Sequence, residues 1–207
     1  MLRESPAMKH LFQPTLKAPL KAHIVATTDD GLIGLDNTLP WGHCKIDLRF
    51  FRRKTLNHIV VMGYNTVVSL PKKLPDRFVV GLCRASEALT EKDEPFKQRC
   101  DLPFHKSHLD PIDIQDVTLL KQARLPTDKD EDIIFYAGGA KLYEATLSQM
   151  DIVYRNIIRP YFPSPDETRT KHYYPIERLE KEFILINETM EVDETETVVQ
   201  QVWIRKK

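Results

Sequence analysis

The order of elements along the chain predicts an α/β fold of three layers: a central, mostly parallel sheet between helices, finished by an antiparallel C-terminal hairpin. Apolar, β-branched runs such as HIVVMG (58–63) and RFVVGLC (77–83) alternate with segments of helical period, the order of a parallel sheet covered on both faces. Two apolar runs end at glycine directly before a helix start, VVMGYNT (60–66) and FYAGGAKLY (135–143). The chain closes on two strand-like runs joined by the acidic turn EVDETE. At 207 residues it has the length of one domain.

Residues 1–20 read as a polar extension, because Pro6, Pro14 and Pro19 are spaced too closely for a helix. Residues 21–207 read as the domain. AHIVATT (22–28) is a buried strand that ends in the turn around Asp29, Asp30 and Gly31. LIG (32–34) is a short element before the turn-rich DNTLPWG (36–42). In KIDLRFFRRKTL (45–56), Ile46 or Asp47 and then Phe50 or Phe51 fall three or four apart, with Arg52, Arg53 and Lys54 on the other side, so a helix is predicted. HIVVMG is a strand, YNTVVSL (64–70) a short helix stopped by Pro71, and RFVVGLC the next strand. The segment at about 84–132 is enlarged. It holds the charged run EKDEPFKQR (91–99), four prolines and one candidate helix at 112–123. DIIFYAGG (132–139) is a strand meeting a double glycine, AKLYEATL (140–147) a helix, and IVYRNIIRPY (152–161) a strand before a polar, Pro-rich loop. FILINETM (183–190) and TVVQQVWIRK (197–206) form the hairpin.

Composition narrows the function. Thirty Lys+Arg balance thirty Asp+Glu, and the pI is near 7.1. A general electrostatic grip on nucleic acid is not expected. No run approaches the roughly 18 apolar residues of a membrane span, and the opening MLRESPAMKHLFQP lacks the apolar core of a signal peptide. Cys44, Cys83 and Cys100 show neither metal-ligand spacing nor an even disulfide count. A soluble, cytoplasmic protein without a metal is the expectation.

Asp47 is the most unusual chemical feature: a single carboxylate at the start of an apolar-striped helix, after a rigid LPWG turn. It is either a first-turn acid favoured by the helix dipole or a carboxylate in an apolar cleft whose raised pKa couples it to a bound ring. Trp41 is either core or a contact over that cleft. Gly63 and the pair Gly138 and Gly139 end strands where helix N-termini face nucleotides, though neither junction is GxGxxG or a P-loop. Two adjacent glycines point to close backbone approach by a ligand or to unusual peptide geometry. No GxSxG, HExxH or paired-carboxylate arrangement supports nucleophilic, zinc or glycosidic chemistry.

DGLIGLDNTLPW (30–41), Asp47 with the FF of KIDLRFFRRKT, IVVMGYNT (59–66), SLPKKLPDR (69–77) and AGGAKLYE (137–144) together resemble dihydrofolate reductase, in that family's order. The resemblance implies reduction of 7,8-dihydrofolate by NADPH through direct hydride transfer to C6, with protonation at N5. It makes Asp47 the acid that meets the pterin, with Trp41 holding a water and Tyr143 standing near the nicotinamide. Leu48, Phe51, Leu70, Leu74 and Ala137 would line the substrate, and Arg77 would pair with the α-carboxylate of its glutamate tail. Ala26 and Ile33 would offer backbone carbonyls to the nicotinamide carboxamide, Ala26 also bordering the substrate, and Leu39 would sit on a mobile loop above. Gly63, Tyr64, Asn65, Thr66, Cys83 and Arg84 would receive the phosphate and adenosine side, and Gly138, Gly139, Ala140, Lys141 and Leu142 the diphosphate. The implied partner is a small molecule, with no membrane or nucleic acid and a monomer favoured.

Several positions depart from that family's pattern. Tyr64 replaces a basic residue, for which Arg84 is the candidate substitute. Arg155 or Asn156 stands where a threonine usually meets the acid, and Ala137 replaces a bulkier wall residue. A pyrimidine reductase of riboflavin synthesis, or a binding subunit on the same fold, are the alternatives. The first would have no use for Arg77.

Overall fold

The structure is a computed structural model and describes residues 19–36, 38–84, 93–106, 133–160 and 168–207. The helix predicted at 112–123, most of the polar extension and most of the enlarged segment lie outside the described residues.

Ten strands and five α-helices follow in order among the described residues: β1 (Leu20–Thr27), β2 (Leu32–Leu35), α1 (Lys45–Thr55), β3 (Ile59–Gly63), α2 (Tyr64–Ser69), β4 (Phe78–Arg84), α3 (Glu94–Arg99) and β5 (Leu102–Lys106), then β6 (Ile133–Tyr136), α4 (Ala140–Thr146), β7 (Ile152–Arg159), β8 (Lys171–Tyr173), α5 (Ile176–Glu182), β9 (Phe183–Val192) and β10 (Thr197–Arg205). A short 3-10 turn, Leu147–Gln149, extends α4. Eight strands form one sheet in the order β5-β4-β3-β6-β1-β7-β10-β9, while β2 and β8 form a separate ribbon. β5 through β7 run parallel, and β10 joins β7 and β9 antiparallel.

The predicted three-layer fold is therefore observed. Val60 and Val61 of β3 are both buried, as a central strand covered on both faces demands. One face packs Phe50 of α1, Val67 of α2 and Phe96 of α3 against Val60, Val79 and Phe135. The other packs Leu142 and Tyr143 of α4 and Leu179 of α5 against Val61, Val80 and Ile134. Helix α1 opens with Asp47 and ends with Arg52, Arg53 and Lys54, both in the sense that suits its dipole.

Two expectations need correction, and one unassigned segment gains a helix. Leu20, placed in the extension, is the first residue of β1 and pairs with Ile133. The charged run at 91–99 contains α3, because Phe96 fills the space above Gly81. A Cβ on Gly81 would stand 2.7 Å from Phe96 Cζ. Beyond the loop expected after β7, β8 pairs with β2 and α5 covers the sheet through Leu179.

Candidate active site

The parallel strands β1, β3 and β6 lie side by side at the centre, and their carboxyl ends are where an open α/β sheet binds ligands. The LPWG turn delivers α1 across this edge. Ile46 and Phe50 turn into the core, which leaves Asp47 and Phe51 half-buried on the cleft side and Leu48 exposed. Asn156 Nδ2 donates to Asp47 Oδ1 at 2.7 Å. Asn156 is itself buried, its Oδ1 has no partner among the described residues, and its backbone lies opposite Ala26 of β1. Burial pushes the Asp47 carboxyl up to about 6, against the hydrogen bond from Asn156; the charge of Glu196 adds to the rise.

The alternation of β7 settles which residue meets the acid. Arg155 points to the opposite face, where Nε donates to Thr27 Oγ1 at 3.0 Å and Nη2 reaches the Thr28 and Asp29 carbonyls. No guanidinium from β7 bears on Asp47.

The glycine junctions converge. Gly63 N–H donates to the Gly138 carbonyl at 2.7 Å, and the Gly138–Gly139 peptide is cis. Gly138 has φ +105, and a Cβ there would meet Thr66 Oγ1 at 3.2 Å. No side chain caps α2 or α4, and within α4 the Leu142 N–H donates to the Gly139 carbonyl at 2.9 Å. Ala140 is half-buried and Lys141 exposed, whereas Leu142 is buried in the core.

Tyr143 lies deeper than a surface contact. It is buried, its hydroxyl donates to the Ile24 carbonyl at 2.7 Å, and burial raises its pKa. Its ring meets His23 edge-on at 4.9 Å and Tyr174 at 5.2 Å. His23 Nε2 lies 2.8 Å from Thr146 Oγ1, which donates onward to Leu142 O, so the imidazole donates there. Its Nδ1 then accepts from the Tyr174 hydroxyl at 2.9 Å. Burial, with Arg205 and Arg178 adding, lowers the His23 pKa to about 3.

Toward one end of the cleft, Phe51, Leu70 and Leu74 pack on the core beside Ala137. Arg77 is 7% exposed, with its Nε unpartnered among the described residues. Burial and the nearby Arg52 charge hold it below the usual arginine range, against the pull of Asp76. Toward the other end, Asn65 and Thr66 open α2, and the Tyr64 ring stacks on Phe96 while its hydroxyl donates to Asp93 at 2.7 Å. Cys83 is buried and donates to the Phe104 carbonyl. The side chain of Arg84 lies outside the described residues. Ile33 is half-buried against the α4–α5 face, Leu39 is 50% exposed, and Trp41 packs against Cys44 and Ile46 with its buried Nε1 donor without a partner among the described residues. The β2–β8 ribbon carries this segment: Arg169 Nε donates to Asp36 Oδ2 at 2.6 Å, and the Thr170 N–H to Oδ1 at 2.8 Å.

Sequence reasoning did not single out His23, Tyr174 or Glu196. A histidine inside an apolar strand is the one signal that pointed at the first; the others needed the fold. Among the described residues no group of three or more His, Cys, Asp or Glu side chains is placed for a metal, and no helix is long and apolar enough to cross a membrane.

A half-buried carboxylate stands beside a glycine-lined strand-to-helix edge on a mostly parallel sheet covered on both faces, an α/β fold of three layers. The chain belongs to the dihydrofolate reductase family, whose profile, described as Dihydrofolate reductase, matches residues 21–205. It is 30% identical over 183 residues to dihydrofolate reductase type 9 of Escherichia coli, covering 87% of this chain and 90% of that one. To the dihydrofolate reductase of Enterococcus faecium it is 33% identical over 138 residues, 66% of this chain and 70% of the other. Its fold matches that of dihydrofolate reductase from Enterococcus faecalis complexed with NADP(H) and RAB-propyl. The TM-score is 0.66 at 23% identity, over 91% of this chain and 97% of that one. The protein is an enzyme, a reductase of folate substrates.

Proposed function

We propose that the enzyme reduces 7,8-dihydrofolate to 5,6,7,8-tetrahydrofolate with NADPH, and that Asp47 is the group on which the reaction's proton handling depends. The observation that carries this reading is the Asp47 carboxyl itself, half-buried and held by Asn156 with its pKa raised to about 6. Such a group pairs with the amino and N3 edge of a pterin, and its proton is exchangeable near neutrality.

The residues present fit a dinucleotide. Gly138 and Gly63 leave a hollow that a Cβ would fill, and the uncapped N-termini of α2 and α4 present N–H donors of the kind phosphates take. NADP(H) in the related Enterococcus faecalis protein supports the choice of cofactor. Gly138, Gly139, Ala140, Lys141 and Leu142 hold the diphosphate through backbone, and Gly63, Tyr64, Asn65, Thr66, Cys83 and Arg84 the adenosine side. When bound, the cofactor supplies the hydride delivered to C6. Ala26 and Ile33 orient the nicotinamide through their carbonyls, and Tyr143 walls its site. Leu39 closes over the cleft and excludes water, while the unpartnered Trp41 Nε1 holds the one water that reaches toward N5.

Leu48, Phe51, Leu70, Leu74 and Ala137 give the apolar walls of the substrate. A buried guanidinium with an unpartnered Nε calls for an anion, and the planar fork of Arg77 suits a carboxylate of the glutamate tail. A cytoplasmic enzyme belongs to the same reading, since a reducing compartment suits three unbridged thiols. The test is the loss of reduced-nicotinamide absorbance when NADPH and dihydrofolate are mixed with the folded protein. Turnover is expected, and its absence overturns the proposal.

A further inference from the structure

Two consecutive residues of β7 act on different parts of the molecule. Asn156 meets Asp47, whereas Arg155, on the opposite face, is 4% exposed and turned toward the end of β1. All three hydrogen bonds that its guanidinium makes to described residues end on the turn leaving that strand. Nε donates to Thr27 Oγ1 at 3.0 Å, and Nη2 to the Thr28 carbonyl at 3.3 Å and the Asp29 carbonyl at 3.2 Å. The Asp29 carboxylate is taken instead by Arg159, whose Nε reaches Oδ1 and Oδ2 at 2.9 Å each. A buried cation held by neutral acceptors is costly. What a guanidinium offers there, and an ammonium does not, is a planar fork that spans several acceptors at fixed spacing.

The turn it grips ties its own two legs together. The Thr28 N–H donates to the Leu32 carbonyl at 3.0 Å, and Thr28 Oγ1 accepts the Leu32 N–H at 3.0 Å. Besides Arg155, the Thr28 carbonyl takes the Gly31 N–H at 3.1 Å and the Thr27 hydroxyl at 2.7 Å. Gly31 has φ +88, and its carbonyl accepts the Tyr174 N–H at 2.9 Å. Ala26 and Ile33 stand just outside the tied pair, one on each leg.

We propose that Arg155 is a positioning residue for the nicotinamide end of the cofactor: by holding the β1–β2 turn, it sets the spacing of the Ala26 and Ile33 carbonyls. The role rests on the reading in which those two carbonyls receive the carboxamide. Arg159 grips the same turn from outside, but its side chain and that of Asp29 are 46% and 60% exposed, and a pair so exposed is screened and weak. The buried arginine therefore fixes the spacing. Without it the Thr28 carbonyl keeps two donors, the Gly31 N–H and the Thr27 hydroxyl, so the turn loosens while the domain still folds.

The test needs no turnover. Titration calorimetry on the apo enzyme compares NADPH with adenosine 2′,5′-bisphosphate, which keeps the adenosine half and has no nicotinamide. Arg155→Met is expected to weaken NADPH roughly 10-fold and to leave the bisphosphate affinity unchanged, whereas a merely structural role would weaken both alike. Arg155→Lys keeps the charge and loses the fork, so it should show a smaller loss, again confined to NADPH. Arg159→Gln should leave both affinities in place. Hydrogen exchange at the Gly31 and Leu32 amides should quicken in Arg155→Met and not in Arg159→Gln. Wild-type NADPH affinity in Arg155→Met overturns the proposal. So does equal weakening of the two ligands, or an equal loss in Arg159→Gln. Should Arg155→Met fail to fold, Arg155→Lys decides by the same comparison. Wild type that binds both ligands while the Arg155 variants match it overturns this role alone; wild type that binds neither overturns the cofactor reading and this role with it.

Discussion

Asp47 and His23 lie on opposite faces of one sheet, and burial shifts both by disfavouring charge. Their effects on stability have opposite signs. Asp47 rises from 3.8 to about 6, so the folded state takes up a proton before the unfolded chain does, and acidification through that window stabilises the fold. His23 falls from 6.5 to about 3; below 6.5 the unfolded chain binds a proton that the folded one refuses, and acidification destabilises. Each slope is at most about 1.4 kcal/mol per pH unit, and they oppose one another between pH 3.8 and 6. Urea midpoints across pH should therefore show a steeper acid loss in Asp47→Asn than in wild type. The same variant should gain on the order of 1–3 kcal/mol at pH 8, because it removes a half-buried charge. Its hydride-transfer rate should fall roughly 100- to 1000-fold at neutral pH in single-turnover mixing, with cofactor binding intact. His23→Gln should remove the opposing slope, so that stability falls less steeply than in wild type on acidification from pH 6.5 toward 3.8. At this scale Asp47 was legible because an acid at the head of an apolar stripe is unusual. The choice between Arg155 and Asn156 was not legible, since one residue of strand phase reverses the face and only the sheet fixes the phase.

Among the elements, α3 and β5 show what local pattern misses. EPFKQR is too short and too charged to advertise a helix, though Pro95 in its first turn was a usable start signal. Its place is decided by Gly81 of β4, distant in sequence, which leaves room for the Phe96 ring. Gly81→Ala should cost roughly 1–3 kcal/mol by overpacking, read as a lower urea midpoint. Phe96→Leu in the same chain should recover part of that loss, since the smaller side chain vacates the contact. The β2–β8 ribbon is a second case: LIG carries no strand signal of its own, and it is held by Asp36, Arg169 and Thr170 across a gap in sequence.

Across the whole molecule, the sheet order places β6 between β1 and β3, so that Gly138 arrives beside Gly63 from far along the chain. A ligand bound at that junction stabilises the entire domain by mass action. At one hundred times its Kd, NADPH should raise Tm by roughly 5–10 °C. Gly138→Ala should abolish the shift in a thermal melt, because its Cβ would meet Thr66 and φ +105 disfavours a side chain.

The sequence by itself determined the layer architecture, the parallel sheet with its closing hairpin, the acid at the head of α1 and the family, because period, glycine punctuation and motif order are local properties of a chain. Tertiary structure alone decided that Asn156 and not Arg155 meets Asp47, that Tyr143 and His23 are sealed together, that a charged run packs as α3, and that Val198 of the closing hairpin packs against Cys44 at the head of α1. Each of these depends on which face a strand presents or on a contact across the fold, and such distances exist only once the sheet has closed.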